Sequence, residues 1–226
     1  EVQGTDELVR FQEAVESDQE GPVRFERTGE GESVIAHVER DDSSVAVVVI
    51  AGRQIQTAEG LEVLGLGAPD EPPDGMPLEE AISATVALGA VPVLPWGFGK
   101  WTFGRRRVVE RAFAGRGPGG FLVADTAHRP TALPRPTLLG RAEAQGIPVL
   151  NGSDPVPLRG EDRRPGSSCF VVTGPAMDDR PARWAKRALG ALDGSPPSYQ
   201  RPQSRARCAY RQIALQLRKR AGGLIP

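Results

Sequence analysis

The chain has 226 residues, 39% of them hydrophobic and 25% charged, a globular balance that excludes a disordered, collagen-like or coiled-coil protein and suffices for one substantial core or two small ones. Its net charge of −1 conceals an uneven distribution, because residues 1 to 80 carry 20 acids against 5 bases and residues 81 to 226 carry 9 against 23. Two oppositely charged segments are expected to pack together and neutralise each other rather than to mark a nucleic-acid footprint. No apolar run reaches the roughly 20 residues of a membrane span, and the opening EVQGTDELVR lacks a basic-then-apolar signal. The expectation is a soluble, cytoplasmic protein without membrane contact. The two cysteines, Cys169 and Cys208, can form neither a disulfide framework nor a zinc site alone.

In chain order, Asp6 to Glu16 places Leu8, Phe11 and Val15 at helical spacing behind a Thr5 cap. Ser33 to Val38 and Val45 to Ile50 read as a hairpin across Arg40 to Ser43, and VAVVVI predicts a strand buried on both faces. Leu61 to Leu66 follows as a strand. Pro77 to Leu88 reads as a helix with Pro in its first turn, Glu79 and Glu80 at the positive dipole end, and a stop at Gly89. Strand and helix then alternate: Val91 to Leu94, Arg105 to Ala114, Phe121 to Ala124, Leu138 to Gln145 and Ile147 to Leu150. A strand at Phe170 to Thr173, a helix near Pro181 to Leu192, and a final helix from about Gln203 to Arg220 complete the chain. Such alternation implies parallel strands with helical crossovers, hence an open doubly wound sheet or a barrel. In either, functional residues sit beyond the strand carboxyl ends. Trp96 to Arg107, Asp125 to Arg129 and Asn151 to Asp154 are placed there.

The succession VIAGRQIQTAEGLEVLGLGA, PDGMPLEEAISATVALGAVPVLPWGFG, FLVADTAHRP and GIPVLNGSDPVP resembles the polymerase and histidinol phosphatase (PHP) family over about residues 45 to 157. The resemblance implies an α/β fold, a distorted TIM-like (β/α)7 barrel lacking or truncated in its first strand, and a phosphoesterase site built on two or three metal ions. With the residue pattern it gives three expected parts: a barrel domain at 1–193, a Pro/Ser-rich linker at 194–202 and a basic helix docked on the barrel at 203–226. The departures fall on the family's metal ligands. Gln54 stands where the family pattern has a ligating glutamate, Trp96 where it has a histidine, and Asp154 keeps the aspartate of a motif whose histidine is Val156 here. An amide is a poor ligand for a hard cation and an indole cannot coordinate one. The family's opening His-x-His strand has no counterpart near Glu1. No metal residue is therefore assigned.

Read as chemistry, Asp154 is either a functional carboxylate or a turn cap. Asp125, His128 and Arg129 form a group suited to anion binding or acid/base work, against a plain surface loop before Pro130. His37, inside a strand, reads as structural. PWGFGKWTFGRRR joins Trp96, Lys100, Trp101 and Arg105 in a loop suited to an anionic or stacked ligand, or else in an apolar plug. Glu161 to Arg164 reads as a surface turn. In the final helix Cys208, Ile213 and Leu217 are expected to face inward and Arg205, Arg211, Arg218 and Lys219 outward. The leading expectation is a non-hydrolytic binder of a small phosphate- or carboxylate-bearing ligand, or of a protein partner. Gln54, Trp96, Lys100, Trp101, Arg105 and Arg129 would bind it at one mouth with Asp125, His128 and Asp154. A hydrolase holding one divalent metal (Zn, Mn or Fe) on Asp125, His128 and Asp154 is the enzymatic competitor, and a nucleic-acid accessory using the basic tail is a third reading.

Overall fold

A computed structural model describes Val9, Glu13, Val15 and residues 22–40, 43–70, 72–97, 99–116, 120–126, 129, 133–156, 158–161, 163–201 and 204–220. Val9, Glu13 and Val15 have helical backbone; the rest of the helix expected at Asp6 to Glu16 lies outside the described residues.

Strands β1 (Val23–Arg27), β2 (Ser33–Arg40) and β3 (Ser43–Ile50) form an antiparallel meander. The expected hairpin is present, with Val38 opposite Val45. VAVVVI is not buried on both faces, however: β3 is an edge strand and Val45 is 48% exposed. One residue later, across the buried Ala51, the chain enters β4 (Gly52–Gln56) of a second sheet. That sheet continues through β5 (Glu62–Leu66), helix α1 (Leu78–Ala87), β6 (Val91–Trp96), helix α2 (Gly104–Ala114), β7 (Leu122–Thr126), helix α3 (Thr137–Ala144) and β8 (Val149–Gly152). A two-stranded ribbon of β9 (Ser168–Phe170) and β10 (Ser198–Gln200), with helix α4 (Pro181–Gly190) between them, precedes helix α5 (Arg205–Arg220). β10 lies inside the stretch expected to be a linker.

The barrel expectation is overturned. The three sheets are separate, and the five-stranded one is open with order β4-β5-β6-β7-β8. β5 runs antiparallel to both neighbours, and only β6, β7 and β8 are mutually parallel. The reason is local. Five residues, Thr57 to Leu61, join β4 to β5, whereas a parallel crossover needs about a dozen. The turn is closed by Thr57, whose Oγ1 accepts from Leu61 N at 3.1 Å and whose carbonyl accepts from Gly60 N at 2.9 Å. Gly60 has φ +71°, a conformation that side chains resist.

Residues alternate between the two faces of this sheet, as the pleat requires. Ile55, Val63, Leu94, Val123 and Val149 meet Leu78, Val109, Phe113 and Leu139 from α1, α2 and α3. Val93, Leu122, Ala124 and Leu150 meet Leu189 of α4 on the opposite face. Helix α1 buries Leu78, Ala81 and Thr85 at helical spacing, and both carboxylate oxygens of Glu59 accept from Leu78 N at 3.2 Å.

The meander is tied to the rest through charge. Glu30 caps α4, accepting from Ala182 N and, at 3.1 Å, from Arg183 N. Glu32 stands 3.6 Å from Lys186 Nζ. Acidic and basic segments therefore meet here. Loss of the cap in Glu30→Ala should cost about 1 kcal/mol, read as a lower urea midpoint with an unchanged slope; a midpoint equal to wild type would refute the capping role.

Candidate functional site

Trp96, Asp125 and Asn151 lie level with one another across the carboxyl ends of β6, β7 and β8. Asp125 follows Val123 on the face covered by α1, α2 and α3, and is itself buried. Its Oδ2 accepts from Arg129 Nη2 at 3.0 Å, while Arg129 Nη1 donates to the Leu133 carbonyl at 3.0 Å. Asp125 Oδ1 and Arg129 Nε are buried with no hydrogen-bond partner among the described residues. Thr126 Oγ1 donates to the Trp96 carbonyl at 3.0 Å and stitches the two strand ends together.

A further arginine stands close by. Arg135 bonds both oxygens of Glu143, at 2.5 and 2.8 Å, and Glu143 Oε1 also accepts from Ser195 Oγ at 2.7 Å. The bond to Glu143, with a smaller contribution from the charge of Asp125, raises the guanidinium pKa above its ordinary value. The same bond holds the Glu143 carboxyl below the usual glutamate range.

The other expected residues divide. Lys100 folds back through a turn whose Lys100 N to Gly97 O bond measures 2.9 Å, and its Nζ pairs with Glu62, which also accepts from Gln56 Nε2 at 3.2 Å. Arg105 staples the same loop, donating to Gly99 O at 2.9 Å and Gly60 O at 3.3 Å. Trp101 is buried edge-on against Phe113, ring centroids 5.9 Å apart, so its indole belongs to the core. Trp96 is half-buried against that core. Phe103 is 92% exposed with φ +53°. Gln54 is level with Leu64 and, through it, with Val93; it lies three residues short of the strand end marked by Trp96 and shares the sheet face of Val93. Gln56 and Glu62, not Gln54, occupy the end of the hairpin. His128 lies outside the described residues. His37 pairs with Glu26 at 2.8 Å on the meander, as its structural reading anticipates.

Asp154 is exposed two residues beyond β8, with φ +40°, and its carbonyl accepts from Arg211 Nη2 at 3.3 Å. That contact leads to a group the sequence reading placed on the surface. Glu161 and Arg164 are 3% and 7% exposed, and Arg211 is 2% exposed, the largest fully buried side chain among the described residues. Helix α5 docks through Arg207, Cys208 and Arg211, while Ile213 and Leu217 are each 60% exposed. Cys208 faces inward and Arg205 outward as expected, but Arg211 takes the buried place expected of Ile213 and Leu217, because a buried carboxylate attracts the arginine face more strongly than the open surface rewards two aliphatic side chains. Burial lowers the Arg211 guanidinium pKa, opposed by Glu161, and raises that of the Cys208 thiol. One signal for this cluster is visible in the sequence: Pro165-Gly166 and Gly160 are turn residues that fold the charged stretch back on itself. Among the described residues no three His, Cys, Asp or Glu side chains gather as a metal site.

No family model, no curated protein and no solved structure matches this chain.

Because the folded pKa of Glu143 is lowered, the Arg135 pair contributes stability above the unfolded carboxyl value of about 4.3 and loses it as pH falls through the folded value. In Arg135→Ala the Glu143 titration, followed by carboxyl NMR, should move up toward that ordinary value, and the stability gap to wild type should close in acid. A Glu143 titration unmoved by the substitution would show that the pair does not govern it.

Proposed function

We propose that the protein is a non-hydrolytic binder of a small phosphate- or carboxylate-bearing ligand at the carboxyl ends of β6, β7 and β8. The supporting observation is the Asp125–Arg129 pair, whose Oδ1 and Nε are buried without a hydrogen-bond partner among the described residues. Buried polar atoms in that state are uncommon and call for an occupant. A guanidinium N–H favours an anionic acceptor, and a carboxylate oxygen accepts from a hydroxyl. The two together select an anion that carries a hydroxyl group nearby. From the PHP resemblance this reading keeps only the location beyond the strand ends. Asp125 already bonds a guanidinium, which favours a binding role over that of a metal-ligating base.

Titration calorimetry with glycerol 3-phosphate, lactate and inorganic phosphate tests it. At least one should bind, and Arg129→Gln should weaken that binding about tenfold to a hundredfold, as loss of a charge-assisted hydrogen bond does. Asp125→Asn keeps the shape and should weaken the hydroxylated ligands selectively. Absence of binding by all three compounds would refute the reading. So would hydrolysis of p-nitrophenyl phosphate with Zn, Mn or Fe that disappears in Asp154→Asn, which would establish the metal hydrolase instead.

A further inference from the structure

The segment after β8 makes three successive turns. Glu161 N donates to Leu158 O at 3.1 Å, Arg164 N to Glu161 O at 3.0 Å, and Ser167 N to Arg164 O at 2.8 Å. Gly160 and Gly166 take positive φ at the third position of the outer two, with Pro165 preceding Gly166, the residue pattern of type II turns. The turns hold Glu161 and Arg164 inward beneath α5. There Glu161 Oε2 lies 3.1 Å from Arg211 Nη2 and 3.6 Å from Arg164 Nε, and its Oε1 lies 3.6 Å from Arg207 Nη2.

Arg164 Nε and Nη2 are both buried with no hydrogen-bond partner among the described residues, as are Ser167 Oγ and Ser168 Oγ just beyond. The Nε and Nη2 protons form one edge of the guanidinium, the fork that takes two oxygens of one oxyanion. Arg164 is 7% exposed, and a buried guanidinium edge left without an acceptor is costly. Glu161 Oε2 accepts no hydrogen bond from the described residues. An oxyanion beside it is therefore repelled unless it presents a proton of its own.

We propose that Glu161, Arg164 and Ser167, together with the arginine face of α5, enclose a site for a protonated phosphate, with Arg164 holding two oxygens through its Nε and Nη2 edge and Glu161 accepting the P–OH. The site shares no residue with the Asp125–Arg129 pair and does not rest on the function proposed above. Arg207, 47% exposed, marks its solvent edge. Discrimination follows from the acceptor. At neutral pH phosphate retains a proton and sulfate has none, so sulfate meets Glu161 oxygen to oxygen.

The test is calorimetric titration of the whole chain with inorganic phosphate and with sulfate at matched ionic strength, followed by glycerol 2-phosphate. Phosphate should bind at least about tenfold more tightly than sulfate. Glycerol 2-phosphate, whose second pKa of about 6 leaves it mostly without a P–OH at pH 7, should bind more weakly than inorganic phosphate there; an ester that binds as tightly as phosphate at pH 7 would overturn the role of Glu161 as acceptor of a P–OH. Arg164→Lys preserves the charge and removes the fork, and should weaken phosphate about tenfold. Glu161→Gln, whose amide can donate, should bring sulfate up to the affinity of phosphate. Phosphate and sulfate binding equally at the site that Arg164→Lys weakens, or neither binding at millimolar concentration, would overturn the proposal. Phosphate binding abolished by Arg129→Gln and untouched by Arg164→Lys would overturn it while leaving the strand-end site standing.

Discussion

The five-residue turn from Thr57 to Leu61 constrains everything downstream of it. It makes β5 antiparallel to β4, and β5 is in turn antiparallel to β6, so that parallel pairing begins only at β6. A closed parallel barrel is then unreachable. The edges β4 and β8 do not meet, and the sheet keeps the order of the chain. The carboxyl ends of three strands, not seven, remain to build a site. Polar side chains gather there because β6, β7 and β8 all point one way: Trp96, Asp125 and Asn151 are level by register.

Two charge groups sit at that end of the molecule, and both are buried enough to matter. Asp125–Arg129 and Glu161–Arg211 each measure between 3.0 and 3.1 Å with both side chains largely out of water. A buried pair adds little net stability compared with a well-packed apolar substitute, yet removing one partner costs about 3–5 kcal/mol because the other is left uncompensated. Such pairs act chiefly on arrangement. For α5 the arrangement is a docking face set by Arg207 and Arg211, and any rotation that buried Ile213 and Leu217 instead would withdraw Arg211 from Glu161.

The sequence made the β6-α2-β7-α3-β8 run legible because period and punctuation agreed: three apolar strands read at four residues each, Pro136 ahead of α3, and Gly115 and Gly146 after the two helices. It concealed β4, since Gly52-Arg53-Gln54-Ile55-Gln56 offers one buried apolar residue, Ile55, whose partners become visible only when β5 is paired beside it. β10 was hidden in a Pro/Ser-rich stretch for the same reason. Closure of the sheet was never local information, for three parallel strands look alike in a barrel and in an open sheet. Trp96, Asp125 and Asp154 fell where strand-end reasoning put them. Gln54 did not, because the hairpin carries the chain two residues further before it turns. Glu161, Arg164 and Arg211 escaped because charged residues are seldom fully buried, and a rule about frequency has no access to three such residues burying one another.

The charge asymmetry of the sequence acquires a spatial meaning from these contacts. Glu30 and Glu32 of the acidic segment meet α4, and Glu62 meets Lys100, which draws acids toward the sheet and the first basic elements. Residues 201 to 226 carry seven bases and no acid, so α5 brings positive charge with no acid of its own. Glu161 of the turn segment answers it, within reach of Arg164, Arg207 and Arg211 together. The carboxylate leaves the Nε and Nη2 edge of Arg164 without a hydrogen-bond acceptor among the described residues. An oxyanion that arrives with its own proton can fill that edge without colliding with the carboxylate already there.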